Sequence, residues 1–547
     1  MTALKEKGSN LFPALDEIPL GVRLEEAIHQ RRILINGELI KWDGATHLVL
    51  SPIFIKTGKE VHEDAQFVIG SYPLATVKEA GEALQAASAA YDSGRGQWPA
   101  MPMHERIFCL EDFTNKMVLK KTEIVKLIVW EIGKSIADAE KEFDRTVEYI
   151  YETIKAVKKL TNKGAQFTVQ QDFIGQTRKV PHGVVLCMGP FNYPLNETFT
   201  TLIPALVMGN TILFKPPKHG TLLFEPLLEA FVEAFPKGVV NTVYGRGRDI
   251  VPALMQSGLV DVLALIGSSK VADSLKKMHP KSNRLQSILG LDAKNAAIIM
   301  DDADLELAVK ESVAGALSFN GQRCTALKIL FVHASIVDRF NQRLVEEVEK
   351  LVIGMPWVKG VNITPLAEPG KPAYLQECID DALSKNATIL NAGLGGGAIS
   401  LSLVKPAILY PVTEEMKIYR EEQFGPLIPV VPFEDTKIPI DYVISSPYGQ
   451  QVSIFSNNPN ALGYLIDTLA GQVGRININS QCQRSPDTFP FNGRKDSAQG
   501  TLSVDEALNA FSVDSVVATK KNAINEKLLE EILSGNSSNR LNNKVIF

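Results

Sequence analysis

The segment Ser318-Phe319-Asn320-Gly321-Gln322-Arg323-Cys324-Thr325 sets one cysteine in a short, polar, glycine-marked turn, directly after an arginine. The residues before it, 304–317, read as a helix, and those after it, 329–332, as a strand. A thiol on such a connection can face a cleft, and a neighbouring cation favours the nucleophilic thiolate. The same octapeptide also reads as a surface loop with an incidental cysteine. The choice between the two rests on where the chain puts its other unusual residues: Asn192 and Tyr193 after an apolar run, Lys215 at the end of another, and Arg145, Arg323 and Arg484 far apart in the sequence.

The elements that must position these residues follow from hydrophobic periodicity. Val184–Met188, Thr211–Phe214, Val239–Val243 and Val262–Ile266 are short apolar runs, separated by helical stretches near 196–208, 222–234 and 248–257. This alternation predicts a parallel sheet covered by helices, which binds ligands beyond the carboxyl ends of its strands. Residues 284–300 resume strand character, and a second α/β block runs from 329 to about 497. Upstream, short strands are expected near 33–35, 48–50 and 67–69. Thr76 and Glu79 make a capping box before an alanine-rich helix, and further helix covers roughly 104–158, with a charged amphipathic stretch from Lys134 to Lys158. Residues 165–180 alternate around Gly175 and predict a hairpin, and Val513–Ala518 a strand. Residues 1–30 read as a loosely attached arm and 521–547, rich in Asn, Ser and Lys, as a peripheral tail. Gly245-Arg246-Gly247 and the glycines of 393–397 read as turn and connection rather than phosphate loops.

Composition excludes several classes. The chain has 547 residues, 45% hydrophobic and 22% charged, too long for one core and ordinary for a globular protein. A net charge of −5 offers no global field for nucleic acid. No apolar run approaches the roughly 20 residues that span a bilayer. The 5 cysteines (109, 187, 324, 378 and 482) form neither a disulfide framework nor a C-x-x-C pair, and the 8 histidines show no ligand spacing, so no metal is expected and a reducing cytoplasm is the simplest home.

Cys324 in FNGQRCT, MGPFNYP (188–194), FKPP (214–217) and EEQFGP (421–426) resemble, in order and spacing, the motifs of the aldehyde dehydrogenase superfamily over about 40–520. The resemblance implies two parallel-sheet α/β domains plus a β oligomerisation arm. A cofactor-binding domain would cover 31–164 and 179–291, a catalytic domain 292–497, and the arm 165–178 and 498–520. It also implies a homodimer or homotetramer. In this reading Cys324 attacks an aldehyde carbonyl, and Asn192 with the Cys324 backbone N–H donates to the resulting oxyanion, donors worth about 3–4 kcal/mol each. Lys215 would bond the adenosine ribose, and Glu422 the nicotinamide ribose beside Phe424. Gly267 and Ser268 would set a helix N-terminus on the pyrophosphate. Lys218, where NAD-preferring relatives often carry an acid, favours a 2′-phosphate and hence NADP, with NAD possible.

Arg145, Tyr193, Arg323 and Arg484, with the pattern R-x-P-D-x-F-P-F, resemble the non-phosphorylating NADP-dependent glyceraldehyde-3-phosphate dehydrogenase branch, where the corresponding residues hold the substrate phosphate. Guanidinium groups and a phenol suit a phosphate dianion and are costly around an apolar aldehyde. For Arg145 alone, solvation beside Glu142 and Glu148 is the competing reading. Another small anionic aldehyde, such as a semialdehyde, fits the same residues, and a weakly catalytic cofactor-binding scaffold is the alternative from another class. Two departures matter. Gly290 stands where the family has the glutamate that activates water, leaving Asp292, two residues on, as the candidate base. Ala272 replaces a common glycine and is expected to crowd the pyrophosphate.

Overall fold

The computed structural model describes residues 11–56 and 66–547. The expected N-terminal strands lie within Arg32–Ile35, Thr46–Phe54 and Gln66–Pro73. The first long helix, α1 (Val77–Tyr91), starts at the expected capping box: the Thr76 hydroxyl oxygen accepts from Lys78 N–H, and the Glu79 carboxylate accepts from Thr76 N–H at 2.8 Å. The helical region that follows is three helices, α2 (Met103–Val118), α3 (Lys121–Ile132) and α4 (Ile136–Gly164). The break before α4 falls at Gly133, whose φ of 73° suits glycine.

The arm differs in register from the expectation. Strands β1 (Thr168–Gln170) and β2 (Phe173–Pro181) form the hairpin, but its turn is Gln171–Asp172, and Gly175 lies inside β2 opposite Thr168. Gln171 takes the left-handed conformation (φ 52°) that the glycine suggested for its own position.

The strands β3 (Val184–Met188), β4 (Thr211–Lys215), β5 (Val240–Thr242), β6 (Val262–Ile266) and β7 (Gln286–Gly290) form one parallel sheet in the order β5-β4-β3-β6-β7. Helix α5 (Asn196–Val207) joins β3 to β4, α6 (Gly247–Gln256) lies between β5 and β6, and α7 (Ser269–Met278) follows β6. The chain leaves β3 toward β4 on one side and returns as β6 on the other. Their carboxyl ends therefore bound the crevice where such sheets take ligands.

A second sheet is built from β8 (Ala296–Ile299), β9 (Ile329–His333), β10 (Ala407–Tyr410), β11 (Leu427–Phe433), β12 (Gln451–Phe455) and β13 (Arg475–Ile478), parallel in the order β10-β11-β9-β8-β12-β13, with Thr388–Ile389 antiparallel at one edge. Helix α8 (Leu305–Leu317) follows β8 and hands the chain to the cysteine turn. Beyond it, β14 (Ala498–Gln499) adds antiparallel to β7, and β15 (Ser512–Lys520) pairs along the whole of β2. The outer edge of β15 has no partner strand among the described residues, and Val513, Val516 and Val517 stand exposed on it. No helix among the described residues is long and apolar enough to cross a membrane.

The terminal segment is more ordered than its composition suggests. It forms α9 (Ala523–Ser534) and then returns to the arm. The Asn542 carbonyl accepts from the Gln176 side-chain amide at 2.8 Å, and Ile546 N–H donates to the Asn162 side chain at 2.8 Å.

Candidate active site

One cavity of about 1140 Å³ lies at the carboxyl ends of β3, β4, β6 and β7 and is shared with the cysteine turn. Asn192 reaches it on the loop after β3. That loop is fixed from below by a buried ion pair: Lys134 Nζ donates to Glu142 Oε2 at 2.6 Å and to the Asn192 carbonyl at 2.8 Å, with both charged side chains 0% exposed. Glu142 Oε1 also accepts from the N–H groups of Leu195 and Asn196 at 3.0 and 3.1 Å. Lys134 Nζ lies 3.6 Å from the centre of the Tyr193 ring and 4.4 Å from that of Phe319. Glu142 is therefore a buried anchor of the loop rather than a solvated neighbour of Arg145. The Asn192 amide donates one bond to the Gln322 carbonyl at 2.8 Å, tying the loop to the residues just before Cys324.

Cys324 follows two residues in left-handed backbone, Phe319 and Asn320. Asn320 accepts from Thr364 N–H at 2.9 Å, and the Cys324 carbonyl accepts from Asn295 Nδ2 and Lys328 Nζ, both at 2.8 Å. The thiol does not have the electrostatics the sequence suggested. Burial first, then the Glu197 carboxylate, pushes its pKa up, and Lys328 and Arg484 offset this only in part. Arg323 turns away, donating to the Gly315 carbonyl at 3.0 Å and to Gln481 at 3.3 Å.

The four expected substrate residues, Arg145, Tyr193, Arg323 and Arg484, all line this cavity with Cys324 and Asn192. Two of the guanidiniums are already paired. Arg145 holds Asp487 through two bonds of 2.8 and 2.7 Å. Arg484, 5% exposed, pairs with Glu197 and, at 3.2 Å, with Asp487. Arg323 has no carboxylate partner among the described residues, and its Nε lacks any hydrogen bond.

On the cofactor side, Lys215, Lys218, Gly267, Ser268, Glu422 and Phe424 line the same cavity. Burial lowers the Lys215 pKa to about 8, and its Nζ donates to the Pro216 carbonyl at 3.0 Å. Lys218 is exposed and has no ion-pair partner among the described residues; its charge and that of Arg246 act together on His47. Lys218 shares the cavity wall with Lys215, and a Cβ at Gly247 would stand 3.3 Å from the Lys215 Cε. An exposed lysine there suits a 2′-phosphate. Ser268 caps α7. Glu422 accepts from Lys328 Nζ at 2.6 Å, and Phe424 meets Phe191 edge-on at 5.9 Å.

Both departures from the family pattern resolve here. Ala272 is wholly buried on the core side of α7 and does not line the cavity, so it does not crowd a pyrophosphate. Asp292 lines the cavity, but its Oδ2 accepts from the N–H and hydroxyl of Ser269 at 2.7 and 2.8 Å, which commits that oxygen to the start of α7. Of the carboxylates that bear on the thiol, Glu197, in the first turn of α5, acts more strongly than Glu422. No motif flags it; only the fold brings it to Cys324.

A raised pKa means less thiolate at any given pH. Alkylation of Cys324 by iodoacetamide without cofactor, followed on its own peptide, is expected to titrate with a midpoint above the ordinary ~8.5. Glu197→Gln should move that midpoint down. A midpoint below the ordinary value in the parent protein would contradict this electrostatic reading.

Comparison with known proteins agrees with the geometry. Residues 56–517 match the aldehyde dehydrogenase family. An NADP-dependent glyceraldehyde-3-phosphate dehydrogenase of Streptococcus equinus is 32% identical over 449 residues, spanning 81% of this chain and 91% of that protein. A malonate-semialdehyde dehydrogenase of Listeria monocytogenes is 28% identical over 437 residues, 80% of this chain and 88% of that protein. The crystal structure of NADP-dependent glyceraldehyde-3-phosphate dehydrogenase from Bacillus halodurans C-125 complexed with NADP is 30% identical, with a TM-score of 0.82, covering 90% of this chain and 100% of that one. With its cysteine turn and its amide-bearing loop at one cavity beyond the first sheet, the chain belongs to the aldehyde dehydrogenase family.

Proposed function

We propose that the protein oxidises a small aldehyde with an anionic head group, D-glyceraldehyde 3-phosphate foremost, to the acid (here 3-phosphoglycerate) with NADP and without free phosphate. The observation that carries this reading is the presence of Arg145, Tyr193, Arg323 and Arg484 in the cavity that holds Cys324 and Asn192. Cys324 releases its proton to water, and the Sγ thiolate adds to the aldehyde carbon. The oxyanion formed is met by the second N–H of the Asn192 amide. Bound NADP supplies the hydride acceptor, leaving a thioester on Cys324. Lys218 favours the 2′-phosphate of that cofactor, and the open edge of β15 supports assembly as a homodimer or homotetramer.

The thioester then needs an activated water. We assign the base to Glu197 rather than to the Asp292 expected from sequence, because Glu197 bears on Cys324 while Asp292 Oδ2 is held by the N–H and hydroxyl of Ser269. An anionic head group that engages Arg484 would compete for the guanidinium holding Glu197. General-base removal typically costs about 10²–10⁴-fold. Glu197→Gln is therefore expected to slow steady turnover by that order while the first-turnover burst of NADPH survives, and Asp292→Asn to slow both alike. The reverse pattern would return the role to Asp292.

A second reading has its own observation. Glu197 and Asp487 balance the charges of Arg145 and Arg484, which leaves Arg323, of the three arginines, without an ion-pair partner among the described residues and suits a singly charged carboxylate, as in a semialdehyde. Comparing kcat/KM for glyceraldehyde 3-phosphate, glyceraldehyde and malonate semialdehyde decides between them. A loss of at least tenfold on removing the phosphate supports the first reading, and equal values for the two glyceraldehydes contradict it. In the same assay Lys218→Glu should lower the NADP-to-NAD preference; an unchanged ratio removes Lys218 from cofactor selection.

A further inference from the structure

A second cavity, of about 590 Å³, shares no lining residue with the first. It lies between the start of α2, the end of α4, strand β2 and the returning C-terminal segment. Arg106, Lys163, Arg178, Lys179, Arg540 and Lys544 line it. The one carboxylate in its wall, Asp514, is paired with Lys179 at 3.0 Å.

Arg106 is the decisive group. It is 7% exposed, and neither its Nε nor its Nη1 has a hydrogen-bond partner. Its Nη2 reaches only the Met103 sulfur at 3.9 Å. The guanidinium fits because residue 209 is glycine: a Cβ there would stand 1.9 Å from Nη1. Burial first, and then the charge of Arg540, lower its pKa to about 10. A buried guanidinium without a counter-charge is unfavourable, and folded proteins leave few such groups without an ion, a water or a ligand to satisfy them.

The remaining wall is also suited to an anion. Arg178 is held by the Thr161 carbonyl at 3.0 Å and by Asn542 Oδ1 at 3.0 Å. Arg540 rests on the Pro99 carbonyl at 3.4 Å. Lys163 and Lys544 have no ion-pair partner among the described residues, and the Thr177, Asn539 and Asn542 side chains also line the space. The chain as a whole is acidic, at −5, so this concentration of cations is local.

We propose that this cavity is a binding site for a small phosphorylated anion carrying one or two phosphate groups, separate from the aldehyde pocket and closed on one side by the C-terminal segment. Planar guanidiniums pair with phosphate oxygens two at a time, and a multiply charged ligand matches an excess of cations that a single carboxylate would leave unbalanced. The docked terminus argues against a long polyanion, which needs an open groove.

Calorimetric titration of the full chain with inorganic pyrophosphate, with NADP saturating, tests this. One pyrophosphate is expected to bind per chain. Arg540→Gln, an exposed change, should weaken it at least tenfold while leaving kcat for the aldehyde in the absence of pyrophosphate unchanged, and Arg323→Leu, in the aldehyde pocket, should leave it bound. Arg106→Met should abolish binding and raise the melting temperature of the ligand-free protein, because a buried unpaired charge is gone. Failure to bind pyrophosphate at millimolar concentration overturns the proposal. So does binding lost in Arg323→Leu but kept in Arg540→Gln, which would place the anion in the aldehyde pocket.

Discussion

The buried pair between Lys134 and Glu142 is the constraint on which the reacting centre rests. Two opposite charges with no access to water are costly to bury, and they persist only when every remaining donor and acceptor is used. Here they are used on the loop after β3: the ammonium holds the Asn192 carbonyl, and the carboxylate holds the N–H groups that open α5. The loop is thereby fixed to α4 and to the Tyr193 and Phe319 rings. Removing either partner would leave the other buried and uncompensated, typically a loss of about 3–5 kcal/mol. The Asn192 backbone is held by this pair, and its side-chain amide by a separate bond to Gln322, two residues before Cys324.

The cavity above that loop carries its charge in opposed sets. Arg145, Arg484, Glu197 and Asp487 form one network, and Lys328 with Glu422 another. Internally paired charges can be dry and pre-organised, so an anion reaching Arg145 or Arg484 would exchange partners with Asp487 or Glu197, whereas Arg323 has no carboxylate among the described residues to give up. The same arrangement explains a thiol that is hard to ionise at rest. Burial and Glu197 outweigh the lysine and the arginine near it.

Much of this was legible in the sequence, and the part that was not has a common cause. Strands β3, β4 and β6 follow from their apolar runs and the start of α1 from its capping box, and the motifs name Cys324, Asn192, Lys215, Glu422 and the three arginines as candidates, whereas their convergence on one cavity is visible only in the fold. What stayed hidden are pairings across long separations: Arg484 with Glu197 is 287 residues apart and Arg145 with Asp487 342. The pairing of Glu142 with Lys134 inside the protein likewise carries no sequence signal, since an amphipathic helix does not show which of its charges turns inward. The hairpin turn was misplaced because Gln171, not the nearby glycine, adopts the left-handed backbone. The polar tail looked unstructured because its anchors, Asn162, Gln176 and Arg178, lie far upstream.

The central claim is that Cys324 becomes covalently acylated by the aldehyde. Mixing enzyme, NADP and glyceraldehyde 3-phosphate, quenching in acid within the first turnover and mapping the peptides by mass spectrometry tests it most directly. The account predicts one acyl group per chain, on the peptide holding Cys324, appearing in step with NADPH. NADPH formed with that peptide unmodified, or NADP bound with neither NADPH nor acyl group appearing, would contradict it.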